Sequence, residues 1–318
     1  MDESAIIAKY LKPLSKKFKD ALNLSDDAAI LKIFKSKNLV ISVDNFIYGI
    51  HCPDYINISS AVNRAILAAI SDLSAMAAKP YCIFISITLN KLTISNKLLK
   101  DLQIGINNAL KTSKTMLGGG DLCTSSQPAS FSVTVVGEGV KKNILRRKGA
   151  KPDELLCVSG NIGDAKIGLD MLIKKNNFSE GLLKNYFIKK FLNPPFRNDF
   201  ARSISRYVTS CIDISDGLIV DSSKLALNSN CSLNINSKAI PISMKAKKII
   251  KNKALSLYDL ISAGDDYELA FSLNKKNLKI IERIANKKKI KISVIGKFSK
   301  GKRILLDNKL FSRGYTHF

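Results

Sequence analysis

Short apolar runs alternate with helix-like segments along almost the whole chain, and this alternation constrains the fold most strongly. Residues 39–43 and 81–89 are rich in β-branched and aromatic side chains and predict core strands. The Ala-rich segment 59–78 and the amphipathic segment 95–113 predict helices. A polar, basic stretch at 141–154 contains Gly and Pro and predicts a domain boundary.

The same alternation continues beyond that boundary. Residues 155–159 and 211–215 predict strands, and 164–174 predicts a helix between them. Alternating strands and helices are typical of α/β and α+β folds, and 46% hydrophobic content is enough for a sizeable core. We therefore expect two α/β domains, residues 1–143 and 144–318.

The charge balance is strongly basic. The chain has 51 Lys and Arg against 26 Asp and Glu, a formal net charge of +25. Most of the basic residues are Lys, dispersed in pairs, whereas specific nucleic-acid readers rely on Arg and on stacking aromatic side chains. The sequence therefore predicts no specific nucleic-acid site, and a basic nucleic-acid-binding protein is the alternative from a different functional class.

Six cysteines occur without a CxxC pair, so neither a zinc site nor a disulfide framework is indicated. We expect reduced thiols in a cytoplasmic protein. The longest apolar stretch, residues 65–89, is interrupted by Asp72 and by Lys79-Pro80, and the N-terminus lacks a secretory pattern. No membrane association is expected.

Several carboxylates lie inside or directly after apolar runs, where they are costly to desolvate unless they are paired or bind a metal. None has a Lys three or four residues later. Two carboxylates at 4 Å repel by roughly 4 kcal/mol at an effective dielectric of about 20, so a convergent group needs a cation. Oxygen ligands alone favour Mg²⁺ with phosphate, although any one Asp is equally explained as a turn or helix cap. The acids are Asp44, Asp72, Asp121, Asp213 and Asp216, with doublets at 26–27 and 265–266.

Common nucleotide-binding glycine motifs do not occur. Neither GxxxxGK[ST] nor GxGxxG is present, so a P-loop or Rossmann reading has no support. Gly118-Gly119-Gly120-Asp121 is explained equally well as a turn at a strand end. Histidine occurs only at 51 and 317, and His51 follows Asp44 by seven residues, beyond the predicted strand end.

Eight segments together resemble the thiamine-monophosphate kinase family, within the ATP-binding superfamily that includes aminoimidazole ribonucleotide synthetase. The resemblance spans nearly the whole chain. The segments are SDDAAIL (25–31), SVDNFIYGIHC (42–52), ISDLSAMAAKP (70–80), GGGD (118–121), RRKGAKPDELLCVSGNIGDAKIGL (146–169), IDISDGLIVD (212–221), AGDDYELAF (263–271) and the terminal GYTHF.

This resemblance implies a two-domain aminoimidazole ribonucleotide synthetase-like fold, in which the N-terminal domain binds ATP and Mg²⁺ and forms a β-barrel-like sheet in a homodimer. It implies ATP-dependent phosphorylation of thiamine monophosphate to thiamine diphosphate, the last step of that biosynthesis, with several Mg²⁺ ions. The alternative within the superfamily is another ATP-dependent synthetase.

The resemblance also assigns roles to individual residues. Asp44, Asp72, Asp121 and Asp213 would form the catalytic centre. The metal ligands would be Asp27, Ser42, Val43, Asp44, Asp72, Asp121, Asp213 and Asp216. Gly120, Asp121, Arg147 and Ser215 would contact ATP, and His51, Asp265 and Ser312 would contact thiamine monophosphate. Four departures from the family pattern occur. Asn23-Leu24-Ser25 stands where the family has Gly-Ile-Gly, and Val43 replaces Thr and can ligate only through its carbonyl. Asp265 replaces Glu, and Ser312 replaces an aromatic residue.

Overall fold

The alternating pattern forms two α/β units in the computed structural model. The structure describes residues 3–24, 31, 37–173, 182–251 and 255–310. Unit 1 contains the chain up to Leu73 and Ala78–Lys141, and unit 2 contains Ser74–Ala77 and the chain from Lys142 onward.

Unit 1 consists of short N-terminal helical segments, two long helices and four strands. Its elements are α1 (Glu3–Ile6), a π-helical turn (Ile7–Leu11), α2 (Lys12–Ser15), a 3₁₀ helix (Lys19–Leu24), β1 (Lys37–Ile47), α3 (Ile58–Ala75), β2 (Lys79–Asn90), α4 (Asn96–Ser113), β3 (Met116–Ser125) and β4 (Ser130–Val140). The predicted helix 95–113 is confirmed, and Ser95 caps it by accepting a hydrogen bond from the Leu98 N–H.

The sheet of unit 1 has the order β1-β4-β2-β3, with β2 and β3 parallel and the other pairs antiparallel. Alternate residues of β1 face opposite sides. Val40 and Phe46 are buried, whereas Leu39, Ile41 and Val43 are 47%, 59% and 57% exposed. Among the described residues the sheet is open, with β1 and β3 as its edges, so the mixed α/β class is confirmed and no closed barrel is seen there.

One predicted boundary in unit 1 is wrong, and the turn considered at residues 118–120 is not seen. β1 does not end at Asp44, because it pairs with β4 without interruption as far as Ile47. The glycines 118–120 do not form a turn, because they lie within β3 and pair with β2. A Cβ on Gly120 would lie 1.9 Å from the Ile85 carbonyl oxygen, so the close approach of these strands explains the glycine.

Unit 2 is built on a seven-stranded mixed sheet with the order β11-β10-β7-β9-β5-β8-β6. Its strands are β5 (Leu155–Ser159), β6 (Ser210–Asp213), β7 (Cys231–Ile235), β8 (Leu269–Leu273), β9 (Ile292–Lys300), β10 (Ile304–Leu306) and β11 (Lys309–Leu310). Its helices are α5 (Asp164–Leu172), α6 (Leu182–Leu192), α7 (Asn198–Ile204), α8 (Leu218–Asn228), α9 (Met244–Lys251), α10 (Leu257–Ile261) and α11 (Leu278–Lys287).

Apolar clusters cover both faces of this second sheet. Leu156 and Val158 join one buried cluster with Phe187, whereas Cys157 joins another with Phe200. Because neighbouring residues of a strand face opposite sides, β5 is buried on both faces. Across the described ranges of both units, no helix has the length and apolarity needed to span a bilayer.

The contact between α3 and α4 depends on Gly105. A Cβ at this position would lie 2.3 Å from the Ser59 carbonyl oxygen and 2.5 Å from Cγ1 of Val62, so the helices could not keep their spacing. We expect Gly105→Ala to lower the free energy of unfolding by about 1–3 kcal/mol despite the better helix propensity of Ala. Urea denaturation checks this, with Asn108→Ala on the exposed side of α4 as the control. Equal stability of the two variants would contradict the packing argument.

Candidate active site

Two carboxylates of unit 1 lie close together between β1 and α3. The Ser42 hydroxyl donates a 2.5 Å hydrogen bond to Oδ2 of Asp72, which joins the strand to the helix. Asp44 projects from the same face of β1, two residues along. Burial, and secondarily the charge of Asp72, raises the pKa of Asp44 to about 6. The pair therefore stores electrostatic repulsion that a bound cation would relieve.

The chemistry of these donors fits a hard cation. The carboxylates of Asp44 and Asp72 and the hydroxyl of Ser42 offer oxygen atoms, the donors that Mg²⁺ prefers. The expected ligand Asp27 lies outside the described residues. Within the part of the chain that the structure describes, no three His, Cys, Asp or Glu side chains form a group able to hold a metal.

Gly120 and Asp121 take up different positions relative to this pair. Strand register aligns Asp44 with Val133, Ile85 and Gly120 in one row across the sheet. Asp121 is the next residue of β3, so its side chain projects from the opposite, exposed face, as does that of Val43. The structure thus brings Ser42, Asp44 and Asp72 together and places the side chain of Asp121 across the sheet from them.

His51 follows β1 in a turn that fixes its imidazole. Its Nδ1 accepts a 2.9 Å hydrogen bond from the Ile47 N–H, and its ring lies 5.4 Å from that of Phe46. Because Nδ1 is an acceptor, the neutral imidazole carries its proton on Nε2. His51 is therefore oriented as a hydrogen-bond donor through Nε2.

In unit 2 the turn after β6 is organised by Asp221, a residue to which the sequence analysis gave no role. Oδ2 of Asp221 accepts the backbone N–H groups of Ser215, Asp216 and Gly217 at 3.0, 2.9 and 3.2 Å. Burial raises the pKa of Asp221, although a hydrogen bond from Lys224 opposes that shift. This buried carboxylate sets the backbone of the turn that follows Asp213.

Lys224 pairs with two of these acids. Its Nζ lies 2.5 Å from Oδ2 of Asp216 and 2.8 Å from Oδ1 of Asp221. Partial burial lowers the pKa of Lys224, but the hydrogen bonds to both acids raise it by more. Local spacing does not predict this pair, because the lysine lies at i+8 from Asp216 and not at i+3 or i+4, and α8 returns it to the turn.

The segment 263–268 brings Asp265 beside the same turn. The Asp265 N–H donates to the Ser215 carbonyl at 2.9 Å, and the Tyr267 N–H donates to the Ile214 carbonyl at 2.8 Å. A Cβ on Gly264 would lie 1.9 Å from the Ser215 carbonyl oxygen, which explains the glycine. Asp265 has a φ of 73°, an unfavourable conformation for a residue with a Cβ. The structure therefore joins the predicted ATP contact Ser215 to the predicted substrate contact Asp265.

Two buried carboxylates anchor the C-terminal half of this loop. Arg197 donates two hydrogen bonds of 2.5 Å to Glu268, which also accepts one from Ser159. Both oxygens of Asp266 accept the Gly163 N–H at 2.9 Å, and burial raises the pKa of Asp266 well above its usual value. These residues were missed because Arg197 and Glu268 are 71 positions apart.

Arg147 lies away from Ser215 within unit 2. The neighbouring Arg146 carbonyl accepts the Cys211 N–H near the beginning of β6, whereas Ser215 follows the other end of that strand. Arg147 is exposed there. Ser312 lies outside the described residues.

Comparisons with known proteins cover almost the whole chain. Family models described as AIR synthase related protein, N-terminal domain and C-terminal domain, match residues 25–139 and 152–307. A thiamine-monophosphate kinase from Buchnera aphidicola subsp. Schizaphis graminum is 35% identical over 326 residues, covering 100% of this chain and 99% of the relative.

Two crystal structures are similar in fold. That of thiamine-monophosphate kinase from Stenotrophomonas maltophilia K279a superposes with a TM-score of 0.87 at 24% identity, covering 96% of this chain and 97% of the other. That of AaThiL complexed with AMPPCP and TMP has a TM-score of 0.80 at 26% identity, covering 100% and 99% of the two chains.

Because the pKa of Asp44 is raised, replacing this residue by a neutral one should increase the stability of the protein, and the increase should depend on pH. Between the ordinary Asp pKa of 3.8 and a value of about 6, the native state retains a proton that the unfolded chain has lost. The free energy of unfolding therefore falls as pH rises through this window. We expect Asp44→Asn, without divalent cations, to be about 1–2 kcal/mol more stable than wild type near neutral pH, allowing for the partial exposure of the carboxylate.

Urea denaturation across the pH range checks this expectation. The difference should disappear in acid, where Asp44 is protonated in both states, and Asp54→Asn, at an exposed position, is the matched control variant. An unchanged or reduced stability of Asp44→Asn above the window would contradict it.

Proposed function

This chain belongs to the thiamine-monophosphate kinase family, and on that premise we propose that it transfers the γ-phosphoryl group of ATP to thiamine monophosphate. The products are thiamine diphosphate and ADP, and the reaction is the last step of thiamine diphosphate biosynthesis. The observation that carries the proposal is the half-buried Ser42, Asp44 and Asp72 group in a chain aligned over its full length with a relative of that activity. The AaThiL complex with AMPPCP and TMP supports the same pair of substrates.

The chemistry requires positioning and charge neutralisation more than proton transfer. An oxygen of the thiamine phosphate forms a bond to the γ-phosphorus, and the bond from that phosphorus to the β-γ bridging oxygen breaks as ADP leaves. The acceptor has a second pKa of about 6, so it is mostly dianionic at neutral pH and needs no general base. Several Mg²⁺ ions would neutralise the phosphates of both substrates.

We propose roles for the site residues on the same basis. Ser42, Asp44 and Asp72 would hold one Mg²⁺ ion. Asp27, the Val43 carbonyl, Asp121 and Asp213 would be ligands of others among the several Mg²⁺ ions. Gly120, Asp121, Arg147 and Ser215 would contact ATP, and His51, Asp265 and Ser312 would contact thiamine monophosphate. The hydrogen bond that joins Asp265 to Ser215 supports a shared location for the two substrates.

We propose that the protein is a homodimer formed through unit 1. Within the described ranges β1 is an edge strand, and it exposes Leu39, Ile41 and Val43 in one apolar row, with Val140 exposed nearby on β4. An exposed apolar edge of this kind favours pairing with another chain. A second copy of unit 1 that packs the same apolar row against this one would cover these side chains.

We propose a cytoplasmic location. All six cysteines are free thiols in the structure, in keeping with a reducing compartment.

Asp72→Asn should abolish the kinase reaction while leaving the fold intact. Asparagine can still accept the Ser42 hydroxyl but lacks the charge that a divalent cation needs, so turnover should fall by about 10³-fold. The measurement is thiamine diphosphate formation from ATP and thiamine monophosphate against Mg²⁺ concentration. Asp54→Asn is the control. If the wild type forms no thiamine diphosphate, the proposed function is refuted. If Asp72→Asn shows normal Mg²⁺-dependent turnover, the proposed site is refuted.

His51→Ala should raise the KM for thiamine monophosphate and leave the KM for ATP nearly unchanged. The reason is that an imidazole fixed through Nδ1 presents its Nε2 proton to an anion. His51→Gln, whose amide N–H partly replaces that donor, should recover part of the loss in steady-state kinetics. If His51 merely packs the turn, the variant would lose thermal stability and the constants for all ligands would change together or remain as they are.

Ile41→Lys should convert the dimer to a monomer. A charge at the centre of the exposed row on β1 opposes burial of the same row on a second copy. Static light scattering at micromolar concentration checks this, with Leu92→Lys as the control because Leu92 is 82% exposed outside the row. A monomeric wild type would exclude the proposed interface.

A further inference from the structure

Asp216, one of the expected metal ligands, already forms an ion pair with a lysine. Its Oδ2 accepts the Lys224 ammonium at 2.5 Å, and its Oδ1 accepts the Ser215 hydroxyl at 3.2 Å. Both oxygens of the carboxylate therefore already have donors. The Asp216 and Lys224 side chains are 25% and 31% exposed, so much of this pair is removed from solvent.

A second carboxylate keeps Lys224 in place. Nζ also donates to Oδ1 of Asp221, which is 1% exposed, at 2.8 Å. Asp221 cannot turn to another partner, because its Oδ2 is occupied by the backbone N–H groups of the turn. Moving Lys224 away would leave a buried carboxylate without its cation, which is unfavourable.

Metal binding at Asp216 would require that movement. Mg²⁺ binds carboxylate oxygen at about 2.0–2.1 Å, and the ammonium nitrogen already lies at hydrogen-bond distance from the same oxygen. Two cations so close to one carboxylate would repel each other strongly. The residues around Asp216 therefore do not fit an additional divalent ion, whereas those around Asp44 do.

We propose that the Lys224 ammonium takes the place of the divalent cation expected at Asp216, so that Asp216 binds no Mg²⁺ in this chain. The proposal rests on the proposed function, since it concerns the metal set of the same reaction. Lys224 is thus a positioning residue that fixes the turn carrying Ser215 and restricts metal binding to the other acids.

The test counts bound Mn²⁺, used as a paramagnetic probe for Mg²⁺, by electron paramagnetic resonance of the free ion, with and without AMPPCP. Wild type and Asp216→Asn should bind the same number of ions. Lys224→Gln, which retains an N–H donor for Asp221 but removes the charge, should bind an additional Mn²⁺ per chain. The double variant with Asp216→Asn should lose that additional ion.

Two control variants separate this effect from the loss of any ion pair. Lys224→Arg keeps a cation beside Asp216 and should match the wild type. Lys166→Gln removes another 2.5 Å pair, with Asp170 on α5, and should leave the count unchanged. Circular dichroism checks whether each variant is folded. If Lys224→Gln does not fold, the Mn²⁺ counts of wild type and Asp216→Asn in the presence of AMPPCP decide the question alone.

A lower Mn²⁺ count in Asp216→Asn than in wild type, or an unchanged count in folded Lys224→Gln, would overturn the proposal. The count does not depend on phosphoryl transfer. If the wild type is inactive but the Mn²⁺ counts are as expected, the proposed function is rejected and the role of Lys224 stands. If the wild type is active but Asp216→Asn binds one ion fewer, the role of Lys224 is rejected and the proposed function stands.

Discussion

Carboxylates removed from water need compensating charge, and the two units of this chain supply it in different ways. In unit 1, burial beside Asp72 shifts Asp44 towards its neutral form, so the pair is poised to gain from a bound cation. In unit 2, Arg197 pairs with Glu268 and Lys224 pairs with Asp216, so protein cations already provide the compensation. The first arrangement suits ligand binding, and the second suits holding a backbone in place.

The backbone held in unit 2 is itself under strain. Asp265 and Tyr267 both have positive φ angles, 73° and 48°, which cost free energy for residues with a Cβ. The loop retains this conformation because its N–H groups bond the turn after β6 and because Arg197 and Glu268 fix its far end. Strain maintained by buried ionic contacts is consistent with a binding role for Asp265, whose position is set by contacts outside its own segment.

Local patterns were sufficient for most strands and helices but not for contacts across the fold. The apolar periodicity and Ser95 define α4, because a helix and its cap are local features. The end of β1 was missed because pairing with β4 sets it. The place of the glycines within β3 could not be predicted, because their close approach to β2 is a tertiary feature. The pairing of Lys224 with Asp216 was missed for a related reason. Lys224 lies eight residues after Asp216, and the turn together with α8 brings the two side chains together.

The excess of Lys and the buried acids act at different distances. A net charge of +25 attracts polyanions such as nucleotides from solution, but at physiological salt that attraction fades within about 8 Å of the surface. Bringing two phosphorylated substrates into contact is a short-range problem, which requires cations held at defined points. Because a chain so rich in Lys could neutralise any exposed acid, a metal site needs carboxylates that lysine does not reach. In the part of the chain that the structure describes, Asp72 accepts the neutral Ser42 hydroxyl and raises the pKa of Asp44, whereas Asp216 is already neutralised by the Lys224 ammonium.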